Sequence, residues 1–143
     1  LISPEHFREF LTPRYKKIVS FAHDVGVDVI LTDSDGYVED LIPLIVETGV
    51  TGMYPFERAA GNDLLRIRDA FPKFQIMGGI DKKILFKDSD PKRIDQELEI
   101  TKEMLKSGRY IPHIDHFVSQ DCIFENFTYY RNKLNKIIES FNG

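Results

Sequence analysis

The sequence predicts an α/β fold built on a parallel β-sheet. Short, largely apolar segments alternate with longer segments of helical periodicity, which is the pattern of repeated βα units. Four apolar segments begin near positions 27, 50, 73 and 109, so their spacings are 23, 23 and 36 residues. Each spacing leaves room for one crossover helix between successive parallel strands. These spacings fit both a barrel and a doubly wound open sheet.

Length and composition predict a single domain over residues 1–143. The chain is 42% hydrophobic and 29% charged, and 11 Phe and 6 Tyr supply apolar side chains for a core. It begins with Leu1-Ile2-Ser3-Pro4 rather than with a methionine or a signal peptide. We therefore expect a piece of a longer polypeptide.

Charge and cysteine content exclude several classes of function. The net charge of −4 comes without a cluster of Lys and Arg, so we expect no nucleic-acid partner. No apolar run approaches the ~20 residues that a membrane-spanning helix needs, so we expect no membrane partner. The single cysteine, Cys122, can form neither an internal disulfide nor a cysteine-based zinc cluster. This cysteine usage predicts a cytoplasmic protein.

Capping residues and periodicity define the elements of the first half. Serine or threonine followed by proline marks two helix starts, which predicts helices over 4–11 and 13–25, the second closed by Gly26. The next elements follow in order: a buried parallel strand over 27–31, a polar turn over 33–36, a helix over 37–48 kinked by Pro43, and a strand over 51–55.

The same unit is repeated in the second half. Asn62 is expected to cap a helix that ends near Phe71, and a strand over 74–77 is expected to end at Gly78-Gly79. The remaining elements follow in order: a helical turn over 81–86, a helix over 90–107, a strand over 109–112 with Pro112 at its end, and a helix over 123–140.

Polar side chains follow all four predicted strands, and in both parallel architectures ligands bind at the carboxyl ends of the strands. We therefore expect a cleft for a small-molecule substrate, lined by Asp33, Ser34, Asp35, Tyr54, Glu57, Asp81, His113, Asp115 and His116. The same residues also have a structural interpretation. Asp and Ser commonly bind their own backbone in turns, a tyrosine can simply pack, and a Glu-Arg pair can form a salt-bridged loop.

Several blocks of the sequence resemble the uroporphyrinogen decarboxylase family in the family's own order. These blocks are Leu1–Phe10, Pro13–Ile18, Ile30–Gly36, Gly49–Glu57, Met77–Lys82 and Tyr110–His116. The resemblance spans essentially the whole chain. It implies that the α/β fold is the C-terminal portion of a (β/α)8 TIM barrel.

The resemblance implies a carboxy-lyase that removes carboxylates from the acetate side chains of uroporphyrinogen, a tetrapyrrole, without cofactor or metal. In such enzymes the pyrrole ring is protonated at carbon and accepts the electrons. His116 is similar in position to the cleft histidine of the family, although Asp115 and Phe117 flank it instead of glycines. The resemblance thus makes His116 and Asp115 the expected catalytic pair. The expected substrate-binding residues are Asp33, Ser34, Asp35, Tyr54, Glu57 and Asp81.

A second branch of the same superfamily, the cobamide-dependent methyltransferases, is the alternative. Those enzymes act with a separate corrinoid protein and bind zinc through a His-x-Cys pair and a distant Cys, so that a substrate thiol becomes a thiolate. The matching positions here are Asp33, Asp35 and Asp115. Carboxylates suit a harder cation better than this soft site.

Four βα units cannot close an eight-stranded barrel, so two parallel edges are expected to stay open. The arginines and the aspartate that bind substrate in the decarboxylases belong to the N-terminal half of that family, which has no counterpart here. We therefore expect the chain alone to be inactive, and we consider a homodimer as one way to cover the edges. A non-catalytic half-barrel that only binds or assembles is the remaining alternative.

Overall fold

The computed structural model describes residues 2–141 and contains one parallel sheet of four strands in the order β1-β2-β3-β4. The strands are β1 Leu31–Asp33, β2 Gly52–Tyr54, β3 Gln75–Ile80 and β4 Tyr110–Ile114. Neighbouring strands are also consecutive in the chain, which is the strand order of a barrel segment. The predicted α/β class and parallel sheet are therefore confirmed.

Helices connect the strands and precede the first one. The α-helices are α1 Pro4–His6, α2 Thr12–Asp24, α3 Ile42–Glu47, α4 Leu64–Ala70, α5 Pro91–Lys106 and α6 Phe124–Phe141. A π-helical turn over Phe7–Leu11 joins α1 to α2, so the two predicted helices form one continuous helical segment. Short 3-10 turns cover Arg58–Ala60 and Lys82–Leu85. Within residues 2–141, no helix combines the length and apolar character needed to cross a bilayer.

One face of the sheet is covered and the other is open. Thr32, Met53, Ile76 and Tyr110 lie in register across the four strands, and all are buried. The next register pair, Asp33 and Tyr54, is exposed on the opposite face. Because side chains alternate along a strand, the helices pack on the first face and leave the second uncovered.

The core consists of two apolar clusters. One contains side chains of β2, β3 and β4 and of helices α2 to α5, centred on Ile42, Met53 and Ile76. The other lies between β3, β4, α5 and α6 and includes Ile80 and Leu134. The helices are thereby fixed against the strands, and the strand ends are held in place.

The first strand lies later in the chain than predicted. The expected strand over 27–31 is wrong in its boundaries, because Val27 and Val29 are 42% and 52% exposed and pairing with β2 begins at Ile30. The Val27 N–H donates to the Ala22 carbonyl, and the His23 ring contacts the Val27 carbonyl. Residues 27–29 therefore form the helix-to-strand connection rather than a buried strand.

Two expectations about the helices that follow β1 and β2 were also wrong. Pro43 does not kink a helix, since α3 begins at Ile42 and proline fits the first turn, where its missing N–H has no helical partner. Asn62 does not cap α4. The cap is Asp63, whose carboxylate accepts hydrogen bonds from the N–H groups of Leu65 and Arg66.

Gly78 and Gly79 do not end the third strand but lie inside β3, which continues to Ile80. Both have positive φ, at 92° and 75°, and a Cβ on Gly79 would lie 2.4 Å from Leu64 Cδ1. The backbone conformation thus favours glycine at both positions, and close packing also requires it at Gly79.

Pro112 lies in the middle of β4 rather than at its end. The Arg109 carbonyl accepts from Ile76 N–H, and the Asp115 N–H donates to the Ile80 carbonyl, so odd-numbered positions of this strand face β3. Pro112 therefore directs its nitrogen, which has no hydrogen, to the outer edge, where no bond of the described sheet is lost.

Candidate functional site

A cavity of about 290 Å³ lies at the carboxyl ends of the strands. Its lining residues come from the ends of β1, β2 and β4 and the loops that follow: Asp33, Asp35, Tyr54, Pro55, His113, Ile114, Asp115 and His116. Six of the nine residues expected to line the cleft thus share one cavity that contains carboxylate, imidazole and phenol groups. Ser34 and Asp81 are outside its lining, and Glu57 lies beside Asp35 and His116.

The loop after β1 is held against the loop after β2. The Ser34 N–H donates to the Tyr54 carbonyl at 3.0 Å, which extends the contact between the two chain segments beyond the strands. The Gly36 N–H donates to Glu57 Oε1 at 2.8 Å. Glu57 is therefore fixed beside the turn that carries Asp35.

Asn62 links these two loops from below and was missed as a site residue. It is 1% exposed. Its side-chain amide donates to the carbonyls of Gly36 and Glu57, both at 2.8 Å, and its oxygen accepts from Val38 N–H at 3.1 Å. A buried amide with all these partners is a positioning group. The sequence signal was the pair of adjacent cap-type residues before α4, of which only Asp63 is the cap.

Asp115 is committed to backbone groups on two other loops. It is 3% exposed, and its two carboxylate oxygens accept hydrogen bonds from the N–H groups of Arg58 at 2.9 Å and Lys82 at 3.1 Å. Burial raises the pKa of the Asp115 carboxyl, and the two N–H donors oppose that rise. Asp115 thereby joins the end of β4 to the loops after β2 and β3.

Asp81 has a comparable structural environment. It is 9% exposed, and its carboxylate accepts a hydrogen bond from Lys83 N–H at 2.9 Å, which caps the 3-10 turn after β3. Its other oxygen lies 3.6 Å from Arg93 Nη2. The carboxylate is therefore engaged in capping and in an ion pair.

The two histidines of the cavity present the same ring nitrogen to the protein. His116 Nδ1 lies 2.8 Å from the Asp115 carbonyl, and His113 Nδ1 lies 2.6 Å from the Ile114 carbonyl. A carbonyl oxygen can only accept, so each Nδ1 carries the hydrogen. In the neutral ring, Nε2 then holds a lone pair that is available to a ligand or a proton.

The zinc site of the methyltransferase branch does not fit these residues. Asp115, at the position of the distant Cys, uses both carboxylate oxygens on backbone N–H groups. Cys122 lines a separate apolar depression with Val118 and Phe127. No cysteine of residues 2–141 lines this cavity, so it lacks the soft ligands that this zinc chemistry needs.

A different group of donors does converge at the site. Asp35, Glu57 and His116 each offer one ligand atom, and these atoms lie within 4.8 Å of one another. Asp33 adds a third carboxylate to the same edge, and no Lys or Arg of residues 2–141 lines the cavity. The site is therefore rich in negative charge.

Comparison with known proteins places this geometry in a family. The protein-family model for Uroporphyrinogen decarboxylase (URO-D) matches residues 1–136. A search of curated proteins finds no match. The match covers nearly the whole chain and agrees with the parallel βα architecture and the polar cavity at the strand ends. The chain therefore belongs to the uroporphyrinogen decarboxylase family.

Proposed function

We propose that the cavity is the substrate cleft of a uroporphyrinogen-decarboxylase-like carboxy-lyase of the porphyrin-biosynthesis type. The observation that carries this proposal is the pair of cavity-lining histidines whose Nδ1–H groups are held by carbonyls. Two imidazoles with free Nε2 atoms can supply both a proton donor and a proton acceptor. The substrate is a small molecule that carries an acetate group on an electron-rich ring, as a tetrapyrrole does.

The reaction needs no cofactor for its electron balance. A protonated imidazole gives its Nε2 proton to a ring carbon of the substrate, and the ring becomes an electron sink. The bond between the acetate methylene and its carboxylate then breaks, its electron pair flows into the ring, and CO2 leaves. The ring carbon returns its proton to an imidazole, and the methylene takes up a proton to become a methyl group.

The remaining predicted residues have supporting roles. Tyr54 and Asp33 lie in register at the ends of β2 and β1 and orient the substrate from the open face of the sheet. Asp115 positions His116 through its own carbonyl and through the loops that its carboxylate holds. Asp81 and Ser34 act indirectly by shaping the loops.

CO2 release from uroporphyrinogen by the natural protein that contains these 143 residues tests the proposal. We expect His113→Gln or His116→Gln to lower the rate by about 10²-fold or more, the usual contribution of a proton-transfer group. His6→Gln, on the exposed face of the first helical segment, is the matched control and should change nothing. Wild-type rates in both cavity variants would favour the non-catalytic module. Methyl transfer to a corrinoid protein without CO2 release would favour the methyltransferase.

For the 143-residue chain alone, we propose a homodimer in the cytoplasm. The sheet of residues 2–141 leaves β1 and β4 as its outer strands, and two copies would supply eight parallel strands. Light scattering should then give about twice the 16.6 kDa of one chain. A mass of 16.6 kDa would contradict the dimer. Cys122 is a free thiol, in keeping with a reducing compartment.

A further inference from the structure

A second cavity, of about 480 Å³, lies at the amino ends of the strands, opposite the candidate substrate cleft. Its walls are the segments that enter the strands: Asp28 before β1, Val50 and Thr51 before β2, residues 70–75 at the start of β3, and Arg109 before β4. The two cavities share no lining residue. Small-molecule sites usually measure about 300–1,000 Å³, so this cavity is large enough for a ligand of its own.

Most of the wall of this second cavity is apolar. Phe71, Pro72 and Phe74 line it from the connection between α4 and β3, and Val46 and Val50 line it from the end of α3 and the turn that follows. Val50 and Phe74 are buried members of the first core cluster, so the floor of the cavity is fixed by the fold. Such a wall favours a ligand with an apolar body.

Three cationic side chains adjoin this apolar wall. Lys73 and Arg109 line the cavity and are exposed. Arg68 is buried directly behind the wall, where its guanidinium donates to the carbonyls of Pro72 and Phe74 at 3.1 and 2.7 Å. It also donates to the Arg109 carbonyl at 2.9 Å. Positive charge is therefore concentrated at one side of an apolar cavity.

These cations have no protein counter-charge. Arg68, Lys73 and Arg109 form no ion pair within residues 2–141, and buried Arg68 Nε has no hydrogen-bond partner there. Burial and the nearby Arg109 charge lower the pKa of the Arg68 guanidinium. Asp28, which is exposed, is the single carboxylate among the described lining residues. An anion in the cavity would offset this excess of positive charge.

The backbone of Arg109 supports the same interpretation. Its φ of 52° lies in the left-handed region, which residues other than glycine rarely adopt and which is enriched at ligand sites. The Arg109 carbonyl accepts from both Ile76 N–H and the Arg68 guanidinium. Sheet pairing and the buried cation thus hold this residue at the cavity.

We propose that the second cavity binds a small amphipathic carboxylate of the medium-chain fatty-acid class. The apolar chain packs against Phe71 and Phe74, and Lys73 and Arg109 pair with the carboxylate. The candidate substrate cleft is lined by carboxylates and by no Lys or Arg of residues 2–141, so it does not favour such an anion. The inference does not rest on the proposed function, because it uses the opposite end of the strands.

Calorimetric titration with octanoate and with octan-1-ol tests the site in the natural protein that contains these 143 residues. The two probes carry the same apolar chain and differ in charge. We expect octanoate to bind about tenfold more tightly than octan-1-ol, as two partly exposed ion pairs allow. Absence of octanoate binding, or equal affinity for the two probes, would overturn the proposal.

The double variant Lys73→Gln/Arg109→Gln locates the charge preference. It should bind octan-1-ol as the wild type does and lose about tenfold in affinity for octanoate, whereas a folding defect would weaken both probes. Lys102→Gln/Lys136→Gln is the matched control, because it removes two lysines that line a separate depression between α5 and α6. The control should change octanoate affinity by less than about twofold. Equal losses in the two double variants would refute the site.

A third variant tests the apolar part of the cavity. Ala70 is an exposed lining residue at the end of α4, so Ala70→Trp places a large side chain in the cavity without disturbing the core. This substitution should lower the affinity for both probes. Unchanged binding of octanoate and octan-1-ol by Ala70→Trp would place their site elsewhere and contradict the proposal.

Discussion

The acidic residues that follow β1 and β2 differ from those that follow β3 and β4 in what their carboxylates contact. Asp35 is exposed and Glu57 is half-buried, and their oxygens converge with His116. Asp81 and Asp115 are buried, and their oxygens accept hydrogen bonds from backbone N–H groups. The same residue type at the same edge of the sheet therefore has two environments: on one side its oxygens converge with His116, and on the other they fix loops.

The exposed cluster of Asp35, Glu57 and His116 depends on the buried carboxylate of Asp115. Asp115 holds the loop that begins at Arg58, directly after Glu57, and its own carbonyl fixes the His116 ring. The buried carboxylate thus positions two members of the exposed cluster. The following predictions test this division, beginning with the largest effect.

Removal of the Asp115 carboxylate should cost the most stability. Asp115→Ala leaves the N–H groups of Arg58 and Lys82 without their acceptor, and hydrogen bonds to a charged group contribute about 1.5–3 kcal/mol each. We expect the free energy of unfolding to fall by about 3 kcal/mol in urea denaturation. Asp88→Ala, at an exposed carboxylate, is the control and should stay within about 0.5 kcal/mol. Equal effects of the two substitutions would contradict the structural role of the buried Asp115 carboxylate.

Substitution of Asn62 should cause the second-largest loss of stability, and a larger loss than substitution of its neighbour Asp63. Asn62→Ala removes three buried hydrogen bonds and is expected to cost about 2 kcal/mol, whereas Asp63→Ala removes a helix cap worth about 1 kcal/mol. Urea denaturation measures both. A larger loss of stability in Asp63→Ala would contradict the positioning role of Asn62.

Removing the negative charge of Asp35 should change stability less than these substitutions do, and in the opposite direction. Asp35→Asn relieves the repulsion with Glu57, which at this separation is worth about 1 kcal/mol in water. We therefore expect the free energy of unfolding, measured by urea denaturation, to rise by up to about 1 kcal/mol. Destabilisation by Asp35→Asn would place Asp35 with the structural carboxylates.

Glu97 should produce the smallest effect, visible as a pH dependence. Burial raises the pKa of this carboxyl above its ordinary value of 4.5, and Arg58, 3.7 Å away, opposes the rise. A raised pKa means that the folded chain binds the proton more tightly than the unfolded chain, so this contribution to stability is full at low pH and is lost as pH rises.

The measurement for Glu97 is a comparison of the wild type with Glu97→Gln at several pH values. Glu97→Gln should gain stability relative to the wild type as pH increases from about 4.5 upward. A difference between the two proteins that does not change with pH would show that the Arg58 ion pair cancels the effect of burial. Glu99→Gln, on the exposed face of α5, is the control.

Periodicity was enough to predict the order of strands and helices, because each strand pairs with the strand that is next to it in the chain. Boundaries were less accurate where tertiary contacts decide, as at Val27, whose N–H bonds Ala22 of α2 instead of pairing with β2. The edge that carries the site was also predictable. The sequence did not predict which carboxylates are engaged by backbone N–H groups, because Asp115 and its partner Arg58 are 57 positions apart.

The proline inside β4 has a consequence for self-association. The backbone groups of positions 110, 112 and 114 point away from β3. The free edge of β4 therefore offers N–H donors only at Tyr110 and Ile114, with a gap at Pro112. A foreign strand that adds to this edge loses the central bond of its ladder. Proline therefore protects the edge against fibril-like growth, while a specific neighbour with enough side-chain contacts can still bind there.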